Sequence, residues 1–261
     1  MGHERIGILP RRKPWSNISQ NIYRSLNEKN ISSIEVGRQT LNLVRKQYEH
    51  LHTDRGVQAA FSFLVALSTP DKKSDGGNLT DIKLDLTENP SPLNLSSKLK
   101  NYVNQNKVSS EYAELATRAA TDAIFLWTKQ KQQQQLLFSK EISANDIWSN
   151  FSGREFCDVS RNFFAKLTER YLYYFLDRGL SAQSQLISSR EVFTDTLSKH
   201  IYDISNHAFE TSKITQSFAA GWFNKSTKEK RPNDGSVKEF LRVVSGKLRE
   251  ELLREQFSNE R

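Results

Sequence analysis

At neutral pH, arginine and histidine are well suited to work on a phosphate. The guanidinium is a fixed forked cation, while an imidazole can take up and return a proton. The run Arg45, Lys46, Gln47, Tyr48, Glu49, His50, Leu51, His52 places an arginine at R-x4-H spacing from His50 and R-x6-H spacing from His52. The same two histidines, with Asp54 nearby, fall short of a metal site, which needs three well-placed donors and a supporting shell. His200 and His207 are too far apart along a helix to share one ion, so no metal and no cofactor is expected. The sequence holds no G-x-G-x-x-G, no phosphate loop ending in GK[ST], no G-x-S-x-G and no H-E-x-x-H. Nucleotide cradling, serine hydrolysis and zinc proteolysis therefore lack support.

On these residues the run Arg45 to His52 resembles the ribonuclease motif of the all-α HEPN family, with Lys46 where that family often has Asn, Asp or His. The resemblance covers eight residues. It implies metal-independent RNA cleavage in which Arg45 steadies phosphate charge and His50 or His52 moves protons. Taken without it, the same run describes the charged C-terminus of a helix, where His50 and His52 favour the negative end of the dipole.

Charge points to binding. The net charge is +8 over 261 residues, of which residues 1–15 carry +3, residues 225–261 carry +3 and the remaining 209 only +2. Arg11, Arg12, Lys13 and Trp15 in the first arm, and Lys228, Lys230 and Arg231 near the other end, are candidate nucleic-acid contacts. Cationic ends follow phosphates in a salt-sensitive way, and a tryptophan stacks on a base or anchors in a groove. Trp15 equally suits a staple that ties the arm to the first helix.

The elements that position these residues are helical. Stepping 100° per residue from Phe156, the side chains Phe156, Cys157, Phe163, Phe164, Leu167, Tyr171, Tyr174 and Phe175 fall in an arc about 120° wide. Arg161, Lys166, Glu169 and Asp177 take the opposite side, yet Leu172, Tyr173 and Leu176 interrupt it. Either another helix of this chain covers those three, or a partner does. Ile214 and Phe218 make a similar exception on a long helix read over residues 189–224. The single cysteine, Cys157, is a small core residue on the first arc.

Capping-box spacing at Ser32 with Glu35, Ser188 with Glu191 and Ser236 with Glu239 marks three helix starts. Residues 68–94 read as a loop punctuated by proline and glycine, with a short strand period at Ile82, Leu84 and Leu86. The resulting expectation is an all-α bundle of about nine helices, read as one compact domain. It is organised as a basic arm at 1–15, a helical lobe at 16–67, a loop at 68–94, a main bundle at 95–224, a basic linker at 225–235 and an amphipathic helix at 236–261.

No run is apolar enough to span a membrane, and a cytoplasmic location is expected. The function expected from these features is a non-catalytic subunit or adaptor that docks on a protein partner or on itself, with nucleic acid left open as a second partner. An accessory role in a bacterial system such as phage defence is an expectation from general character that no residue carries.

Overall fold

A computed structural model describes residues 13–28, 30–70, 72, 82, 84, 91–105, 112–138, 147–148, 151–183, 187–210 and 213–258. Among them are nine α-helices and no strand. We number them α1 (Lys13–Tyr23), α2 (Ser33–Glu49), α3 (Arg55–Leu67), α4 (Pro92–Gln105), α5 (Ala113–Phe138), α6 (Gly153–Gln183), α7 (Ile187–Glu210), α8 (Lys213–Ser226) and α9 (Asp234–Ser258). A π-helical turn, Arg24–Glu28, extends α1, and a 3₁₀ turn, Leu51–Thr53, separates α2 from α3. None of the described helices is long and apolar enough to cross a membrane.

The axis of the molecule is α6, which has 31 residues and is therefore about 46 Å long. Its first half buries Phe156, Cys157, Val159, Phe163, Phe164 and Leu167 in a core shared with α3, α4, α5, α8 and α9. Its second half buries Tyr171, Leu172, Leu176 and Leu180 in a second core, shared with α1, α2 and α7. The arc anticipated from Phe156 is thus real, but one helix serves two cores. At the first core's centre, Phe61 of α3 meets Phe156, Phe163, Phe164 and Phe240, with ring centroids 5.3–6.1 Å apart.

Part of the polar side of α6 meets α5. Arg170 pairs with Asp122 of α5 at 2.5 Å, and Lys131 of α5 pairs with Glu155. Arg161 pairs with Asp158 and Lys166 with Glu169, both along α6 itself. Together the first two pairs show α5 running antiparallel to α6.

Helix starts follow local capping chemistry. The side chain of Ser32 accepts from the backbone N–H of Glu35 at 3.1 Å and caps α2, as its spacing predicts. The other two boxes differ. The backbone of α7 is already helical at Ile187, before Ser188, and α9 is capped by Asn233, whose side-chain oxygen accepts from the Ser236 N–H at 2.9 Å. The Ser236 hydroxyl instead accepts from the indole of Trp222 at 3.1 Å. A complete box begins α6: the Ser152 N–H donates to Glu155 Oε2 at 2.8 Å, and the Glu155 N–H to Ser152 Oγ at 3.3 Å.

The helix read over 189–224 is two helices, α7 and α8. Tyr173 of α6 reaches Thr194 of α7, while Gly153 lies against Ala220 of α8, so the pair runs antiparallel along the whole of α6. At Gly153 a Cβ would lie 2.8 Å from the Ala220 carbonyl oxygen, a close crossing that requires glycine. Of the expected strand, Ile82 and Leu84 are described and belong to neither helix nor strand, while Leu86 lies outside the described residues.

Candidate functional site

Tyr48 lies between Arg45 and His50 and fixes where both point. Its ring is buried edge-on to Tyr171 with centroids 5.4 Å apart, and its hydroxyl shares a 2.7 Å hydrogen bond with Thr168 Oγ1 of α6. Burial pushes the Tyr48 phenol up to about 12, so it stays protonated and structural. Tyr171 in turn donates to the Val44 carbonyl at 3.3 Å. The last turn of α2 is thereby held at its buried side, while Arg45 and His50, about 140° apart around it, are exposed.

The turn after α2 is equally constrained. His50 is the C-cap residue, its N–H bonded to the Gln47 carbonyl at 3.0 Å, as expected for a histidine at a helix C-terminus. Thr53 Oγ1 donates to the His50 carbonyl at 2.7 Å, and Gln58 Nε2 to the His52 carbonyl at 2.8 Å. Asp54 Oδ1 accepts from the Gly56 and Val57 N–H groups at 2.8 and 3.1 Å, which starts α3 and presents Arg55 to solvent.

The second wall comes from α9. Phe240 and Leu241 bury in the first core, and the opposite side of the helix carries Lys238, Glu239 and Arg242, all exposed. Arg242 donates to both Glu239 carboxylate oxygens, at 2.9 and 2.5 Å. These residues act on His52: partial burial first, then the charges of His50, Lys238 and Arg242, hold it below the usual histidine value, with Glu239 acting in the opposite sense. Its imidazole is therefore neutral at pH 7. The corner of the 3₁₀ turn and α9 thus brings His50, His52, Lys238 and Arg242 together, with Glu239 paired to Arg242, while Arg45 at the end of α2 and Arg55 at the start of α3 are exposed on the adjoining elements.

No family model, curated protein or solved structure matches the chain. The resemblance to the HEPN motif therefore stands on Arg45 to His52 alone.

The other sequence candidates are dispersed. Leu172 and Leu176 are 2% and 0% exposed, packed in one core with Phe193, Leu197, Ile201 and Ile204 of α7. Tyr173 donates to the Thr194 carbonyl at 2.5 Å. Another helix of this chain covers the three, and they are no partner surface. Phe218 is half-buried and stacks on Phe240 at 5.6 Å, while the Ile214 side chain lies outside the described residues.

Arg231 is corrected too. It is 3% exposed, and its guanidinium donates to Thr69 Oγ1 at 3.2 Å, the Thr69 carbonyl at 3.0 Å and the Ile82 carbonyl at 2.7 Å. A guanidinium supplies five donors in a planar fork, so it can satisfy several backbone oxygens at once, including those at the C-terminal end of α3. It fastens the segment before α9 to the end of α3 and is not on offer to a nucleic acid. Lys228 and Lys230 are exposed; Lys72 holds the same segment by donating to the Thr227 and Lys228 carbonyls.

Trp15 is buried and stacked on Phe175 with centroids 5.7 Å apart, which makes it the staple of α1 on α6. Lys13 is exposed, and Arg11 and Arg12 lie outside the described residues. Cys157 is buried, and burial pushes its thiol up to about 11, far from a reactive thiolate at neutral pH.

Sequence reasoning missed Lys238 and Arg242 as neighbours of His52. The spacing of Lys238 and Arg242, one turn apart on the polar side of an amphipathic helix, is a readable signal; their meeting with His52 is set by long-range packing.

Proposed function

We propose that the protein is a non-catalytic helical subunit or adaptor, and that the α2–α9 corner is its recognition surface. One observation carries this: charged side chains from two segments far apart in sequence are brought together on a frame fixed from behind and open to solvent in front. Catalysis at phosphorus needs an acid, a base and a charge stabiliser within hydrogen-bond reach of one reacting centre. Arg45 and His50 are instead separated by about 140° around the end of α2. That spread suits contact with an extended partner.

The test is purification of the full chain from its native host, as wild type and as Arg45→Glu/Arg242→Glu. A component retained by the wild type and lost from the folded variant is the expected result; identical co-purifying sets would refute the reading.

A second reading, metal-independent RNA cleavage with Arg45 and His50 or His52, is favoured by the neutral His52 imidazole, the form that a general base uses. Cleavage of labelled RNA in a chelator by the wild type, lost in folded His50→Ala or His52→Ala protein, would replace the first reading with this one. No cleavage by the wild type would remove it.

A further inference from the structure

Building on the corner as a recognition surface, we propose that its partner is the phosphodiester backbone of a nucleic acid. Charge is the first argument. Lys238 and Arg242 are exposed cations beside His52 and His50, and the adjoining ends of α2 and α3 carry exposed Arg45 and Arg55. Facing them are Asp54, occupied by the Gly56 and Val57 N–H groups, and Glu239, clasped by Arg242. A run of spaced cations on an open surface suits a polymer that carries its charges in a row.

The second argument is what the corner lacks. Protein-binding surfaces centre on a large apolar or aromatic anchor. Among the described residues the exposed side chains of that kind are Tyr23, Leu43, Leu93, Phe125, Ile187, Val192 and Tyr202; none belongs to the 3₁₀ turn or α9, and Leu43, on the side of α2 that carries His50, lies about two turns before it. Among the described residues, the 3₁₀ turn and α9 offer cations and hydrogen-bond donors without such an anchor, which disfavours an acidic protein as the occupant.

His52 adds a dependence on protons. A phosphate docked beside His52, Lys238 and Arg242 favours the charged His52 imidazole, while Glu239 competes with the phosphate for Arg242. Binding takes up protons, and affinity rises as the pH falls through the histidine range.

The test is fluorescence anisotropy of the full chain with short labelled RNA and DNA of mixed sequence, at two salt concentrations and at pH 8 and pH 6. Expected are salt-sensitive binding of both polymers and a salt slope reduced by about one for each of Arg45→Gln and Lys238→Gln. Glu239→Gln, which releases Arg242, should tighten binding several-fold, a gain that a merely structural role would not produce. Lowering the pH should strengthen the wild type and leave His50→Gln/His52→Gln unchanged.

No binding at low salt, variants that bind like the wild type, or competition by polyglutamate as effective as RNA would each overturn the proposal. Should the Arg45→Glu/Arg242→Glu protein lose a co-purifying protein while the wild type ignores every oligonucleotide, this proposal falls and the recognition-surface reading survives. If neither association nor binding depends on the corner, both fall.

Discussion

The second half of α6 and the corner of α2 and α9 treat unexpected side chains in opposite ways. At Leu172, Tyr173 and Leu176, apolar groups occupy a position where a helix packed on one neighbour would be wet, and α7 covers them. At the corner, Lys238 and Arg242 meet His50 and the partly buried His52, and both cations remain open to solvent. An apolar exception on a helix is cheaply resolved inside the chain, because burial is favourable with almost any apolar neighbour. A cluster of like charges gains nothing from its own company. Its arrangement is maintained by what lies behind it, here the Tyr48–Thr168 bond and the burial of Phe240.

The sharpest way to break that contrast is to cut into the covered region. Leu172→Ala and Leu176→Ala should each destabilise the isolated protein by about 2–5 kcal/mol, the usual loss of burial plus cavity, read by urea unfolding. Unchanged stability would return both residues to an outer surface. Arg231→Met comes next, at about 2–4 kcal/mol, since it strips the donor from Thr69 and Ile82 oxygens; at low temperature its nucleic-acid affinity should match the wild type.

Gly153→Ala should cost about 1–3 kcal/mol although alanine is the better helix former, because the new methyl meets the backbone of α8. Substitution by alanine at a truly open site would raise stability instead.

A titration refines the picture of how α5 is held on α6. Glu155 is partly buried, which opposes ionisation, yet its bonds with Lys131 and Ser152 prevail and hold its carboxyl below the usual glutamate value. Its folded value is depressed, so the stability it contributes is present above the ordinary carboxylate range and is lost as the pH falls through the folded value. Glu155→Gln should flatten stability against pH between about pH 5 and pH 3, measured by thermal melts. Smallest of all, Arg45→Gln and Lys238→Gln should leave the melting temperature within about 2 °C of the wild type, even as they weaken binding.

How much of this is written in the sequence depends on the range of the interaction. The Phe156 arc, the Ser32 cap and the end of α2 at His50 are local patterns that packing does not contradict. The Ser152–Glu155 box has the same readable spacing, directly before the aromatic run. Ser236 was a plausible cap, but Asn233, three residues earlier, is the side chain that reaches the first turn. Arg231 looked like an ordinary cation in a basic linker. Its burial depends on oxygens of Thr69 and Ile82, which no pattern near residue 231 reveals. The corner is of the same kind: Arg45, His50 and His52 are visible as a motif, whereas Lys238 and Arg242 join them only because Phe240 is drawn into the core beside Phe61.

That ring pair also governs how the molecule comes into being. Synthesis runs from the N-terminus, so Phe61 and the apolar length of α3 emerge from the ribosome long before Phe240, the ring that stacks on Phe61 at 5.3 Å. Until α9 arrives, one side of α3 lacks its cover and a nascent chain carries a sticky, half-built core. A corner that depends on α9 therefore forms only after almost the whole chain has been made.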